Sequence, residues 1–464
     1  MTKRLRLTTT LTLLALLSAC SGGGGSSAVP FSVAITGHIT YEDKLFSDPS
    51  DPTLAAGFSG ITEPKAVRNA VVELVGDGGV VATTTSDESG GYALSGTGSN
   101  LYLRILAQSR FDSSLHPMSV AVVNNSGQVI AVTTPLNPNS SLVNVKITLN
   151  NPVAGAFNIL DVYESAGEFT LAQGVPELPV RLFAKWAPCS ADGTYTQVID
   201  SRTIMIALLG VDSSCSAGFT DTDEYDDDVL WHEYGHYLEF AFNAADTPGG
   251  AHYLLDMAQD IRLAWSEGWS DFISGAIKEW LKTIAPERLS IDSTISSGWY
   301  VDTYTYDTAT TITHDFRTGN SGGTELVYST NEGSVAKLLW DIHDHASFGI
   351  EPIWQSFYWQ LPQVTTSNLE SFWDGSFATS TDPATLDVLA PRFIDYSEDS
   401  HEPGDSTAPA TTTRAPYSFT PPGTSEYHTL YRKDGGADID IIPFTVTSGN
   451  NYRIETHTLR NGAD

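Results

Sequence analysis

The chain has 464 residues, 41% of them apolar, so it is long enough for two to four domains with sizeable cores. Its 24 Lys and Arg residues against 56 Asp and Glu residues give a net charge of -32. Such a charge would repel a phosphate backbone, which argues against a nucleic-acid partner and says little about the fold.

Residues 1–19 have the pattern of an export signal. Three basic residues among the first six precede a short apolar run over Leu7–Leu17. This run is too short to span a bilayer comfortably and has the form of a cleavable signal peptide. We therefore expect the mature protein to begin after it.

A lipid anchor is predicted directly after this signal. The segment Leu17–Cys20, with the sequence Leu-Ser-Ala-Cys, resembles a bacterial lipobox, which implies lipidation of Cys20 and attachment to a membrane. Residues 20–30 then form a tether rich in Gly and Ser. Ser21 resembles the outer-membrane sorting pattern, so we expect an outer-membrane lipoprotein of the cell envelope. A secreted protein with a chance cysteine is the alternative.

Short strand patterns separated by turn signals fill residues 31–150 and predict a β-sandwich. Three of these strand patterns are Ala70–Val75, Val80–Thr84 and Leu101–Ile105. The run from Ala66 to Leu94 resembles the carboxypeptidase regulatory-like domain, a small transthyretin-type sandwich. That resemblance implies a module that braces a catalytic domain and carries no chemistry of its own.

In residues 151–400 the pattern changes to strands followed by helices, which indicates an α+β domain. Apolar periodicity predicts helices around Asp226–Phe242, Leu255–Leu281 and Glu332–His343. The chain is therefore expected to be a multidomain protein, with its chemistry in this second domain.

Cys189 and Cys215 are the cysteines that follow Cys20. In an oxidising envelope compartment such a pair can form a disulfide, which we favour over two unpaired buried thiols. Neither cysteine has a partner at the close spacing of a zinc site, so metal binding by them is not expected.

The segment His232-Glu233-Tyr234-Gly235-His236 has the pattern of a catalytic zinc site. On a helix, residues four apart lie on one face, so both imidazoles can bind one ion. Glu233 can then meet a water molecule at the open side of the metal as a general base. Because so short a pattern also arises by chance, a structural lipoprotein with an accidental match is one alternative.

A catalytic zinc requires a third protein ligand, and the segment Trp265–Phe272 offers one. Glu267 and Asp271 are four residues apart, which is one helical turn. Glu267 can bind the metal, while Asp271 accepts a hydrogen bond from the far nitrogen of a histidine ligand. A solvated acidic pair is the alternative interpretation.

Together, these segments resemble the gluzincin peptidases, and among them the fungalysins more than thermolysin. The resemblance covers roughly Asp226–Asp344 and implies a zincin-type catalytic domain with an active-site helix. It predicts a monomeric zinc-dependent endopeptidase that acts on protein or peptide substrates. The residues it implies are the zinc ligands His232, His236 and Glu267, the base Glu233, and Asp271 behind His232.

The sequence departs from these families at the residue that stabilises the oxyanion. They carry a histidine just before the glycine that matches Gly333, whereas Ser329–Asn331 contain none. Tyr328 or His314 could supply this donor, and we prefer Tyr328. The departure also leaves room for a weakly active or inactive zinc-binding lipoprotein that acts as an adhesin or binding module.

The segment Thr220–Glu224 contains three carboxylates directly before the first helix pattern. Hard cations bind clustered carboxylates, so calcium is a candidate ligand here. The segment lacks the spacing of an EF-hand, and a solvated acidic cap that matches the helix dipole is the interpretation we prefer.

Residues 401–425 are rich in Pro and Thr and predict a linker. Strand-like patterns in residues 426–464 resemble the start of a bacterial pre-peptidase C-terminal domain. The resemblance implies a partial C-terminal β domain, since the sequence ends before such a fold could close. A short disordered tail is the alternative.

Overall fold

The computed structural model describes most of the chain between residues 29 and 394. The described residues are 29–47, 57–109, 119–176, 178–217, 219–291, 298–303, 305–306, 308–309, 312–321, 324–377, 388–392 and 394. The signal peptide, Cys20, the tether up to residue 28, the linker 401–425 and the β domain 426–464 lie outside them. Within these ranges, no helix is both long enough and apolar enough to cross a membrane.

Strands dominate the first part of the described chain, and helices the second. The strands before the first helix are β1 (Phe31–Phe46), β2 (Phe58–Ala66), β3 (Ala70–Gly76), β4 (Gly79–Thr85), β5 (Gly91–Gly98), β6 (Tyr102–Ser109), β7 (Val120–Val123), β8 (Ala131–Pro135) and β9 (Val145–Ile147). The later strands are β10 (Arg181–Lys185), β11 (Tyr195–Asp200), β12 (Thr203–Ala207), β13 (Gly210–Val211), β14 (Asp221–Thr222), β15 (Trp299–Asp302), β16 (Thr305–Tyr306), β17 (Thr308–Ala309), β18 (Ile312–Asp315), β19 (Asn320–Ser321) and β20 (Thr324–Glu325). The helices are α1 (Gly155–Ala172), α2 (Asp227–Ala241), α3 (Ile261–Ile284), α4 (Glu332–Asp344), α5 (Glu351–Gln355) and α6 (Leu369–Ser376). The described chain is thus a mixed α/β protein with large sheets near its N-terminus, as the strand and helix patterns predict.

The first sheet is built around the long strand β1. Its order is β2-β1-β5, and β9 also pairs with β1. Side chains of β1 alternate between buried and exposed positions, because successive residues of a strand point to opposite faces. Its buried face includes Val33, Ile35, Ile39 and Tyr41, so one side of this sheet lies against the core.

The second sheet has eight strands and joins both predicted domains. Its order is β11-β12-β10-β7-β6-β3-β4, with β8 paired to β6. Strand β10 lies parallel to β7, with Leu182 opposite Val120, so the sheet crosses the boundary predicted at residue 150. The sheet order ends at β11, and the residues of this strand are mostly exposed.

Helix α1 links the sheets to the other long helices. Its side chains are buried nearly all round, including those of Phe157, Tyr163 and Phe169, as expected for a helix inside a core. It contacts β1, β6 and β7 and also α2 and α3. One cluster of buried apolar side chains therefore extends from the sheets into the helices.

Two glycines allow α2, α3 and α4 to pack closely. A Cβ atom at Gly235 of α2 would lie 2.6 Å from the Cα atom of Ser270 in α3. A Cβ atom at Gly268 of α3 would lie 2.5 Å from the carbonyl oxygen of Glu332 in α4. Both distances are too short for carbon atoms in a close-packed interior, so these separations require glycine.

Helix α3 begins at Ile261, later than the sequence predicts. Apolar residues from Leu255 onwards continue the helical period, but residues 251–260 form turns and irregular backbone. Asp260 is the N-cap, because its side chain accepts a hydrogen bond from the backbone nitrogen of Arg262 at 2.9 Å. The cap, rather than the apolar period, therefore sets where this helix starts.

Candidate metal centre

Helix α2 carries the His-Glu-x-x-His segment, and buried polar contacts fix its first turn. Asp228 in that turn forms an ion pair with Lys278 of α3 at 2.6 Å. The same carboxylate accepts a hydrogen bond from the backbone nitrogen of Val301 in β15 at 2.9 Å. Acidic residues in the first turn also suit the helix dipole. The start of α2 is thus tied to α3 and β15, which carry further residues of the site.

The structure brings the three residues predicted as zinc ligands together. His232 and His236 lie one turn apart on α2, and their Nε2 atoms are 3.2 and 3.1 Å from Oε2 of Glu267 on α3. For zinc–ligand distances of about 2.1 Å, tetrahedral ligand atoms are about 3.4 Å apart. One donor atom from each residue can therefore surround a single ion, and this donor set is typical of catalytic zinc.

Asp271 lies behind His232, at the position that the resemblance implies. Its Oδ1 accepts a hydrogen bond from Nδ1 of His232 at 2.8 Å. Such a bond fixes the ring and leaves the lone pair of Nε2 directed toward the metal position. The ring of His232 is therefore held in an orientation that would suit a metal ligand.

His236 is held by three side chains that the sequence pattern did not single out. Its Nδ1 lies 3.2 Å from Oε2 of Glu239 and 3.1 Å from the hydroxyl oxygens of Ser266 and Ser270. Ser266 also donates to Glu239 at 2.5 Å. Glu239 is one turn after His236 on the same helix, so helical spacing could have indicated it. The two serines belong to α3 and become neighbours only in the folded chain.

The carboxylates around these rings favour a positive charge at the centre. Burial lowers the pKa of His232, but its hydrogen bonds to Asp271 and Glu267 outweigh this effect and raise it to about 10. Burial also opposes the ionised form of Glu267, yet His236 and His232 hold its pKa well below the usual range. A centre that stabilises positive charge this strongly suits a dication, which would displace the imidazole protons.

Glu233, the predicted base, is buried beside the sheet edge. Its Oε2 accepts a hydrogen bond of 2.6 Å from the hydroxyl of Thr196 in β11. The same hydroxyl lies 3.0 Å from the backbone carbonyl oxygen of Glu233. Burial lowers the pKa of His236, but Glu267, Glu239 and then the charge of Glu233 raise it well above its usual value, so the carboxylate of Glu233 lies near the predicted ligands. Thr196 therefore positions the base from a strand far away in sequence.

Two aromatic side chains from other segments complete the surroundings. His252, in the loop before α3, has a side chain that is 36% exposed, with Nε2 3.6 Å from Oε2 of Glu267. Its Nδ1 lies 2.9 Å from Oε2 of Glu332, the first residue of α4. The ring of Tyr300 in β15 is 5.7 Å from that of His232. No motif marks either residue in the sequence, because both reach the centre only through tertiary folding.

The two residues considered as oxyanion donors lie in different surroundings. His314 is fully buried, and its Nδ1 is 3.9 Å from Oδ2 of Asp271, the carboxylate that holds His232. His314 therefore lies behind Asp271, on the side away from solvent. It cannot donate a hydrogen bond to a substrate that enters from solvent. Tyr328 has a φ of 74° and donates its backbone N–H to the carbonyl of Arg392 at 2.8 Å. These backbone features place Tyr328 just before α4, and its role as a donor stays a prediction.

The acidic segment Thr220–Glu224 is not the solvated cap that we prefer from the sequence. Asp221 and Asp223 are buried, and the hydroxyl of Thr194 donates to Asp223. Asp302 at the end of β15 joins them from a distant part of the chain. One oxygen atom from each of these three carboxylates lies within 4.8 Å of the other two. Spacing within one segment could not reveal the third member.

Cys189 and Cys215 are joined by a disulfide, and their Cα atoms are 5.5 Å apart. The bonded residues are separated by 26 positions, and strands β11 and β12 lie between them. The pairing that we favour over two free thiols is therefore the one that the structure contains.

Comparison with protein-family profiles and with curated proteins identifies no relative of this chain. No protein-family profile matches the chain, and no curated protein matches it significantly. The chemistry of the centre is therefore argued from its own geometry and donor set.

Proposed function

We propose that the protein is a zinc-dependent endopeptidase with a zincin-type catalytic domain. The observation that carries this proposal is the convergence of His232, His236 and Glu267 at distances suited to one tetrahedral ion. Each imidazole is also held from behind by a carboxylate, which is typical of metal-binding histidines. This arrangement of candidate ligands and supporting residues supports a metal site over a chance occurrence of the motif.

The side chains around the ligands supply the remaining parts of a hydrolytic reaction. Zinc held here would act as a Lewis acid and lower the pKa of a water molecule at its open position. Glu233 would accept a proton from the attacking water and pass it to the leaving amine. Thr196 would keep the carboxylate of Glu233 in place, through the bond of 2.6 Å.

The position of β11 supports an extended peptide as the substrate. This strand ends its sheet among the described residues, and most of its side chains are exposed. An exposed edge can pair with an extended peptide through main-chain hydrogen bonds. Because Thr196 of β11 contacts Glu233, a peptide bound along this edge would pass close to the base and the ligands.

The sequence places this activity at the cell envelope, and that placement remains part of the proposal. Lipidation of Cys20 would anchor the protein to the outer membrane, and protein or peptide substrates would meet it there. The net charge of -32 still argues against a nucleic-acid partner. We propose that the protein works as a monomer.

The decisive variant is Glu233→Gln, which removes the base and leaves all three ligands. We expect one equivalent of zinc per chain to remain, with peptide cleavage reduced by about 10²–10⁴-fold. Elemental analysis and digestion of a peptide library would measure the two quantities. Glu287→Gln is a matched control, because Glu287 is an exposed carboxylate in the short turn after α3. Unchanged cleavage by Glu233→Gln would refute the assigned role.

The same measurements test the second candidate, a zinc-binding adhesin or binding module. The absence of the family histidine from Ser329–Asn331 is the feature that favours it. In that case the unaltered protein would hold one equivalent of zinc and cleave no member of the library. If the unaltered protein holds no stoichiometric zinc, both candidates are contradicted.

A further inference from the structure

A second group of carboxylates lies outside the zinc centre. Asp221 of β14, Asp223 and Asp302 of β15 each direct one oxygen atom to a common position, with all three atoms within 4.8 Å of one another. Asp221 and Asp223 are 6% and 3% exposed. These two carboxylates are thus largely withdrawn from water, and Asp302 is partly buried.

Two other buried carboxylates of this protein are each paired with a lysine. Asp43 pairs with Lys65 at 2.7 Å, and Asp228 pairs with Lys278 at 2.6 Å. Among the described residues, no Lys, Arg or His lies within ion-pair distance of Asp221 or Asp223. Because burial of an unpaired charge is unfavourable, a group of this kind is stabilised by a bound cation or by a shared proton.

Unpaired oxygen atoms at the group point to a missing ligand. Asp226 is fully buried, and its Oδ2 accepts hydrogen bonds from the backbone and hydroxyl of Thr303 at 2.9 and 2.6 Å. Among the residues that the structure describes, its Oδ1 has no hydrogen-bond partner, nor has Oδ1 of Asp221. After burial, the charges of Asp302 and Asp223 raise the pKa of Asp226 most, so its carboxylate borders the group. Unsatisfied buried oxygen atoms are rare and usually indicate a ligand.

We propose that Asp221, Asp223 and Asp302, bordered by Asp226, form a calcium site separate from the zinc centre. The donors are all carboxylate oxygens, which select hard cations over zinc. Calcium tolerates irregular geometry and fills remaining positions with water or carbonyl oxygens, whereas magnesium demands a near-ideal octahedron. Burial and the neighbouring carboxylates raise the pKa of Asp221 to about 8. The negative charges of these three carboxylates therefore destabilise one another when no cation is bound.

The site would connect segments that build the zinc centre. Asp221 and Asp223 precede α2, which carries His232, whereas Asp302 is two residues after Tyr300 on β15. A cation shared by these carboxylates would hold β15 against the start of α2 and so keep Tyr300 beside His232. Calcium is therefore expected to stabilise the centre without entering the reaction.

Terbium and calcium titrations of the zinc-loaded protein test the site directly. We expect one Tb³⁺ to bind per chain, with luminescence excited through nearby aromatic residues, and calcium to displace it. Calcium should raise the melting temperature, and an equal concentration of magnesium should raise it much less. Absence of both terbium binding and a calcium-dependent rise in melting temperature would overturn the proposal. Zinc content and peptide cleavage are measured separately, so failure of the calcium site can be told from failure of the proposed peptidase.

The variant Asp221→Asn tests the site through the direction of its change in melting temperature. It removes one repelling charge, so in chelator we expect it to melt at a higher temperature than the unaltered protein. It should also lose most of the calcium response and retain one equivalent of zinc. Asp344→Asn, which changes an exposed carboxylate at the end of α4, should keep the full response.

Several outcomes of this comparison would contradict the site. A full calcium response in Asp221→Asn is one of them. Stabilisation by mild acid with no terbium binding is another, because a shared proton would then replace the metal. If Asp221→Asn does not fold, the titrations of the unaltered protein decide the question.

Discussion

His252 reaches the metal centre with the orientation of a proton or hydrogen-bond donor. Glu332 holds its Nδ1 at 2.9 Å, and its Nε2 lies 3.6 Å from Glu267. Burial lowers the pKa of His252, but the hydrogen bond with Glu332 and the charge of Glu267 outweigh this effect and raise it. A partly exposed imidazole at this position, with Nδ1 held by Glu332, is placed to donate a hydrogen bond to an oxyanion in place of the absent family histidine.

We expect His252→Ala to reduce kcat for peptide hydrolysis by about 10²-fold, with a small change in KM, because a donor to the oxyanion acts mainly in the transition state. Zinc content should remain at one equivalent. His345→Ala is the control, since His345 follows α4 and stacks on Phe348. Loss of zinc from His252→Ala would instead make His252 a ligand, and an unchanged kcat would exclude any role in the reaction.

Local spacing explains which site residues could be predicted. His232, Glu233 and His236 lie on one helix, so their relation follows from helical geometry alone. The prediction of Glu267 as the third ligand depended on reading two separated segments together and on their resemblance to gluzincin peptidases. The contacts of Thr196 and His252 depend on how β11 and a loop fold over α2, and no local pattern encodes that. For the same reason, the sequence could not show that Asp302 lies beside the acidic segment before α2.

The close approach of α2 to α3 is possible because Gly235 has no side chain. The proposed histidine ligands lie on α2 and the proposed carboxylate ligand on α3, so the distance between these helices would set the size of the metal position. Ser270 packs directly against Gly235 and also contacts His236 at 3.1 Å. Close packing and metal geometry are therefore determined at the same crossing.

We expect Gly235→Ala to weaken zinc binding and lower stability by about 1–3 kcal/mol, because the new methyl group would overlap the backbone of Ser270. Zinc titration and chemical unfolding would measure the two effects. Gly78→Ala is a suitable control, since a Cβ atom there would have no neighbour within 4 Å. Wild-type zinc affinity in Gly235→Ala would show that the helix separation is not critical.

Periodicity predicts the long helices well but not their limits or partners. Helices α2 and α4 lie where apolar spacing indicates them, since that spacing follows from the core-facing side of each helix. The start of α3 depends instead on the cap formed by Asp260. The pairing of β10 with β7 escaped prediction, because parallel strands are joined by long crossovers whose sequence does not identify the neighbour.

The molecule is held together across its predicted domain boundary by both a sheet and an ion-pair network. Arg68, before β3, pairs with Asp161 at 2.6 Å and with Glu168 at 2.8 Å, both on α1. Arg288, after α3, pairs with Glu168 at 2.6 Å and with Glu88 at 2.8 Å. Removal of residues 151–400 would leave the buried Arg68 without Asp161 and Glu168, and removal of the N-terminal part would leave these two carboxylates without Arg68.

We therefore expect residues 151–400 expressed alone to lack a stable fold. Strand β10 would lose its partner β7, and α1 would expose the apolar side chains that face the N-terminal sheets. Circular dichroism during thermal unfolding and zinc titration would compare this fragment with residues 29–400. A cooperative transition and full zinc binding by the shorter fragment would show that the N-terminal sheets are an independent domain.

The disulfide places the strand nearest the base inside a covalent ring. Closing a loop of this length restricts the unfolded chain and contributes about 3–4 kcal/mol in the chain-entropy description. The ring contains β11, so Thr196 and its hold on Glu233 depend on a bond that forms only where thiols are oxidised. A chain retained in a reducing cytoplasm would keep its three ligands but hold its base less firmly, so oxidation during export would complete the proposed catalyst.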